Sequence, residues 1–128
     1  MTSTLTAAGG CHCGAVRFAV QFASPPTLLD CNCSICSKTG FLHLIATAGE
    51  FTLLVGAEAL TDYRFGTGTA RHLFCRHCGV KSFYVPRSHP EGFSINWRAL
   101  DDVANIVPVI TPFDGREWER GQARLAEQ

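Results

Sequence analysis

Apolar and polar residues alternate with a period of two along much of the chain. Val16, Phe18, Val20 and Phe22 are separated by Arg17, Ala19 and Gln21, the pattern of a strand with one buried face. Ser24-Pro25-Pro26 breaks the pattern, and Thr27-Leu28-Leu29-Asp30 reads as a short strand leading into a cysteine triplet. Residues 34–37 fit one helical turn that Gly40 would end. Further strands are predicted at 41–47, 51–55, 60–65, 71–74, 81–85, 93–97 and 106–110, with Gly66-Thr67-Gly68 as a turn between two of them. Pro108 places the last strand at a sheet edge, because proline has no N–H to give a central ladder. Residues 115–126 alone read as a longer helix, with Trp118 and Leu125 on its apolar side and a glycine weakening its middle. The prediction is a mainly β fold with little helix.

At 128 residues the chain suits a single domain, expected over 7–120 with a C-terminal tail at 121–128. A 46% apolar and 17% charged composition excludes intrinsic disorder. Eleven basic residues balance eleven acidic ones, and no two basic residues are adjacent. That leaves no electrostatic case for nucleic acid or an anionic membrane as partner. The first eight residues have neither the basic start nor the apolar run of a signal peptide. The longest nearly apolar run, 41–48, includes His43 and is too short to span a bilayer. The expected location is the cytoplasm, where thiols stay reduced or bind metal.

The seven cysteines then change the picture. They fall as Cys11/Cys13, Cys31/Cys33/Cys36 and Cys75/Cys78. A zinc knuckle needs two nearby thiolates on a tightly turning backbone, and each outer pair is followed by a glycine, Gly14 or Gly79. Each pair also precedes a predicted strand, so the two turns can lie side by side and share one ion through Cys11, Cys13, Cys75 and Cys78. A metal closing a loop of this length offsets much folding entropy. Two buried, unligated cysteine pairs are the competing reading.

Cys31-x-Cys33-x-x-Cys36 offers three sulfurs to a second ion and leaves one position open. A thiol arriving at an open zinc position is deprotonated near neutral pH, which activates it for attack on an aldehyde. Three readings stay open from these residues: an open site, a site closed by His43, His72 or His77, and a metal-free redox thiol cluster.

Gly10-Cys11-His12-Cys13-Gly14-Ala15-Val16-Arg17-Phe18, Cys31-Asn32-Cys33-Ser34-Ile35-Cys36 and Phe74-Cys75-Arg76-His77-Cys78-Gly79 together resemble the family of glutathione-dependent formaldehyde-activating enzymes and centromere protein V. The resemblance runs from about Gly9 to Asp102. His43, Lys81-Ser82-Phe83-Tyr84 and Pro90-x-Gly92-Phe93 lean toward the centromere-protein-V branch. It implies an Mss4-like β-sheet fold pinned by zinc, with two zinc ions per chain. Cys11, Cys13, Cys75 and Cys78 would be structural ligands, and Cys31, Cys33 and Cys36 would hold a catalytic zinc. The implied activity is that of a carbon–sulfur lyase run in the synthetic direction, joining a glutathione-like thiol and a small aldehyde into an adduct such as S-hydroxymethylglutathione. The alternative is a non-catalytic zinc-binding interaction module.

A glutathione site also needs cations for two carboxylates. Lys38, Arg64, Arg71 and Arg87 are the candidates, with solvated surface charges as the competing reading. His43 could relay a proton or be a hydrogen-bonded strand residue. Trp97 and Phe93 could wall a pocket or fill the core. His12 and His77, inside the knuckles, are expected outside the ligand sets, and Ser34 and Ser37 are candidate donors to bound sulfur.

Overall fold

The computed structural model describes residues 3–117. Its strands are β1 (Ser3–Gly10), β2 (Arg17–Ser24), β3 (Thr27–Cys31), β4 (Leu42–Ala46), β5 (Phe51–Val55), β6 (Leu60–Tyr63), β7 (His72–Cys75), β8 (Phe83–Tyr84), β9 (Phe93–Asn96) and β10 (Val109–Phe113). One short helix, α1 (Ser34–Thr39), follows β3. Three sheets form, ordered β1-β2-β5, β10-β3-β4-β9-β8 and β6-β7. The mainly β expectation is met.

The alternation in β2 has the consequence its period implies. Phe18 and Val20 are fully buried and Phe22 nearly so, each burial contributing roughly 1.5–3 kcal/mol. Phe18 and Phe51 from the three-stranded sheet meet Phe83 and Phe93 from the five-stranded one. Their ring centroids lie 5.6 Å apart for Phe18–Phe83 and 4.4 Å for Phe51–Phe93. This aromatic layer joins the two sheets. Phe93 therefore packs against the core and Trp97 lies in it, edge-on against Phe22.

Three elements depart from the sequence pattern. β1 pairs with β2 along its whole length, from Ser3↔Ser24 to Gly10↔Arg17, although its small and polar residues show no alternation of large apolar groups. Its pairing is supplied by β2. The strand expected at 81–85 is reduced to β8, with Val85 making only a bridge to Arg71. The strand expected at 106–110 instead begins after Pro108 and runs to Phe113, parallel to β3. Val109 directly follows the proline, and its N–H reaches the Pro26 carbonyl at 2.9 Å. The edge placement holds, and Pro112 is tolerated for that reason. Of the helix expected at 115–126, residues 115–117 are helical; Trp118, Leu125 and the tail at 121–128 lie outside the described residues.

Candidate metal centres and active site

The outer cysteines sit on two turns, one between β1 and β2 and one after β7. Gly14 (φ 85°) and Gly79 (φ 78°) take the left-handed backbone that each turn requires. The turns bring Cys11, Cys13, Cys75 and Cys78 together, with all four sulfurs within 4.8 Å of one another. Cys13 Sγ lies 3.7 Å from both Cys11 Sγ and Cys75 Sγ. Sulfurs each about 2.3 Å from a shared tetrahedral ion are about 3.8 Å apart, so the spacing fits zinc. The backbone N–H groups of Val16 and His77 donate to Cys11 Sγ at 3.3 Å and Cys75 Sγ at 3.4 Å, a contact that stabilises thiolate. His12 and His77 are exposed and outside the cluster.

The central triplet is assembled where β3 passes into α1. Cys31 ends the strand. Cys33 is the helix N-cap, and its sulfur accepts the N–H of Cys36 at 3.4 Å. Cys36 follows three positions on, the spacing that puts two residues on one face of a helix. Gly40 closes α1 in the left-handed conformation, as the sequence pattern predicts. All three sulfurs again lie within 4.8 Å of one another, a set that can also hold a metal ion. Among the thiols themselves, hydrogen bonds from Cys31 and Cys36 hold the Cys33 thiol low. The same neighbours, and then burial, hold Cys36 high.

No histidine joins the central set among the described residues. His43, on β4, spends its ring on Cys36, with Nε2 3.0 Å from Sγ. Its Nδ1 lies 2.8 Å from Ser94 Oγ on β9 and 3.3 Å from the Tyr84 hydroxyl on β8. Hydroxyls can donate to Nδ1, which leaves the ring proton on Nε2 facing sulfur. Burial, and then the charge of Lys81, push His43 down to about 4, so the ring stays neutral at pH 7. His72, on β7, is engaged by Lys81, whose Nζ lies 2.7 Å from its Nδ1.

The cations the sequence singles out are spread elsewhere. Arg64 and Arg71 share Asp62, at 3.0 and 3.1 Å. Lys38 is exposed in the last turn of α1, and Ser37 is exposed beside it. Arg87 is partly buried, and its charge reaches His72 and Tyr84. Lys81 was not among those candidates, yet it is packed into the aromatic wall that His43 links to Cys36. Its Nζ lies 4.0 Å from the Tyr84 ring centroid and 5.1 Å from that of Phe41. The sequence signal for it is a single charge at the head of the apolar run Phe83-Tyr84-Val85.

Asn32 ties down the chain that follows β10. Its N–H donates to the Phe113 carbonyl at 3.2 Å. Its side-chain oxygen accepts the Arg116 N–H at 3.0 Å, and its carbonyl accepts Arg116 Nε at 2.8 Å. These bonds clamp the chain after β10 across the triplet and bury Gly115 against it.

A mainly β chain carrying one four-thiol and one three-thiol cluster, each able to hold a metal ion, defines a cysteine-rich β-sheet class. Residues 6–116 match the family model of the glutathione-dependent formaldehyde-activating enzyme, and the chain belongs to that family. A Halomonas elongata protein, provisionally named a glutathione-dependent formaldehyde-activating enzyme, is 40% identical over 91 residues. The match covers 65% of this chain and 58% of that relative, so the chain spans little more than half of its length. The crystal structure of a Rhodobacter sphaeroides protein is similar, with TM-score 0.72 and 37% identity. It covers 80% of this chain and 97% of that one. No helix among the described residues is long and apolar enough to cross a membrane.

Proposed function

We propose that this chain is a zinc-dependent carbon–sulfur lyase or synthase acting on the adduct of a small thiol and a small aldehyde, such as S-hydroxymethylglutathione. In this reading Cys11, Cys13, Cys75 and Cys78 hold a structural zinc, and Cys31, Cys33 and Cys36 hold a second, catalytic one. The observation that carries it is a three-sulfur cluster whose neighbouring histidine is committed to Cys36, leaving no fourth protein donor among the described residues. Family membership supports the same chemistry.

Zinc held by the triplet would supply a Lewis-acid position at which an incoming thiol gives up its proton near neutral pH. In the synthetic direction the thiol sulfur bonds to the aldehyde carbon. The carbonyl π pair moves to oxygen, and the proton released by the thiol ends there. The reverse reaction breaks the carbon–sulfur bond and returns that proton to sulfur. His43 orients Cys36 and withdraws charge from it through Nε2–H, which keeps this sulfur a ligand rather than a competing nucleophile. The chain that Asn32 clamps packs Gly115 against Cys31 and Cys33.

The test is exchange of S-hydroxymethylglutathione with glutathione and formaldehyde, followed by NMR and corrected for the uncatalysed equilibrium. Wild type should accelerate it, and Cys33→Ser should lose the acceleration while bound zinc falls from two ions to one per chain. A Cys33→Ser protein that matches wild type would refute the mechanism. Two tightly held zincs without turnover would favour a non-catalytic module.

A further inference from the structure

A lysine surrounded by rings and a neutral imidazole needs an explanation. Removing an ammonium from water is costly unless an anion or strong acceptors replace the lost hydration. The ion pairs among the described residues are Arg17–Asp101, Arg64–Asp62 and Arg71–Asp62; none involves Lys81. Its contacts are His72 Nδ1 and the faces of Tyr84 and Phe41. Those three groups fix the ammonium without neutralising it. Tyr84 stacks on His72 at 4.9 Å and meets Phe41 edge-on at 5.2 Å, so the wall around Nζ is one packed unit.

The central thiols lie across this wall from Lys81, through Tyr84 and His43. Cys36, Cys33 and Cys31 all favour its charged form, against a burial effect that lowers it to about 8. The same wall reaches the cluster through His43, which touches Tyr84 on one side and Cys36 on the other. A fixed positive charge therefore stands in the wall that meets the central cluster at Cys36.

We infer that Lys81 is the anion-binding residue of this site, taking an anionic oxygen of the thiol–aldehyde substrate. This rests on the reaction proposed above and deepens it by assigning a substrate contact. Two oxygens share the required chemistry: a carboxylate on the thiol, and the oxygen that gains charge as sulfur adds to the carbonyl. Lys81 Nζ–H donates to either and transfers no proton in the binding step. The rings of Phe41 and Tyr84 exclude water from the contact, which strengthens it.

Cobalt-loaded protein reports thiol binding through its visible spectrum, without turnover. Wild type, Lys81→Met and Lys81→Arg are titrated with 3-mercaptopropionate, glutathione and neutral 2-mercaptoethanol, and exchange of S-hydroxymethylglutathione is measured in parallel. If Lys81 binds the thiol's carboxylate, Lys81→Met weakens the two carboxylate thiols by about ten- to a hundredfold and spares 2-mercaptoethanol. If it binds the carbonyl-derived oxygen, thiol affinities are unchanged and kcat falls by a similar factor at constant KM. Lys81→Arg recovers part of either loss. Lys81→Gln replaces Lys81→Met should the latter fail to fold.

Equal binding and turnover in Lys81→Met and wild type would overturn the inference while leaving the proposed reaction standing. So would a variant that merely loses cobalt while its loaded fraction behaves as wild type. A wild-type spectrum indifferent to every thiol would remove the proposed reaction, and Lys81's role with it.

Discussion

Replacing Gly115 by alanine tests how closely the chain after β10 is fitted to the central thiols. A Cβ at this position would lie 2.4 Å from Cys31 Sγ, 2.8 Å from Cys33 Cβ and 3.3 Å from Cys33 N. Ordinary carbon–sulfur contact needs well over an ångström more than the first of these. Two relaxations are available. Cys31 can swing its sulfur away, which takes it out of the triplet. Alternatively the strap can retreat, which stretches the bonds from Asn32 to Phe113 and Arg116. Overpacking of this kind costs about 1–3 kcal/mol, whereas alanine's helix propensity returns about 1 kcal/mol at most. At the middle of these ranges the clash wins, leaving a net loss of about 1 kcal/mol or a displaced ligand. Urea unfolding reads the first outcome, and zinc per chain with chelator competition reads the second. Gly115→Ala protein within about 0.5 kcal/mol of wild type, with unchanged zinc affinity, would refute the close fit.

Two further outcomes follow from the wall of the site. His43→Phe keeps a ring beside Phe41 and Tyr84 but removes the donor to Cys36. Affinity for the second metal ion should fall about ten- to a hundredfold, read by chelator competition, while the four-cysteine site keeps its ion. His72 is held neutral by burial and then by Lys81, which lower it from 6.5 to about 4. The unfolded ring therefore binds a proton between those values when the folded one does not. Stability from this group is complete above pH 6.5 and lost as pH falls toward 4. The full effect is about 3 kcal/mol, reduced to about 2 by solvent screening. His72→Gln should flatten the pH dependence of urea stability across that window by this amount; a slope equal to wild type would contradict it.

Much of the molecule was legible in the sequence where the cause is local. The alternation Val16, Phe18, Val20, Phe22 specifies which face of β2 is buried, because side chains on a strand point to opposite sides in turn. Gly14 and Gly79 mark the two turns because the backbone there is left-handed. The spacing Cys33-x-x-Cys36 followed by Gly40 contains α1 and its cap.

Pairing and convergence depend instead on residues far apart in the chain, and no short pattern records them. β1 is a strand because β2 offers it an edge. β10 starts after Pro108 and lies parallel to β3, which carries Gly115 onto the triplet more than eighty residues after Cys31. His43, Lys81, Tyr84 and Ser94 carry no metal-ligand spacing, yet β4, β8 and β9 bring His43, Tyr84 and Ser94 together at Cys36, with Lys81 just before β8. The sequence by itself determined the thiol inventory and the local turns that present it. Tertiary structure decided which histidine touches sulfur, which cation joins the aromatic wall behind that histidine and what covers the thiols, because those contacts exist only once the sheets have packed.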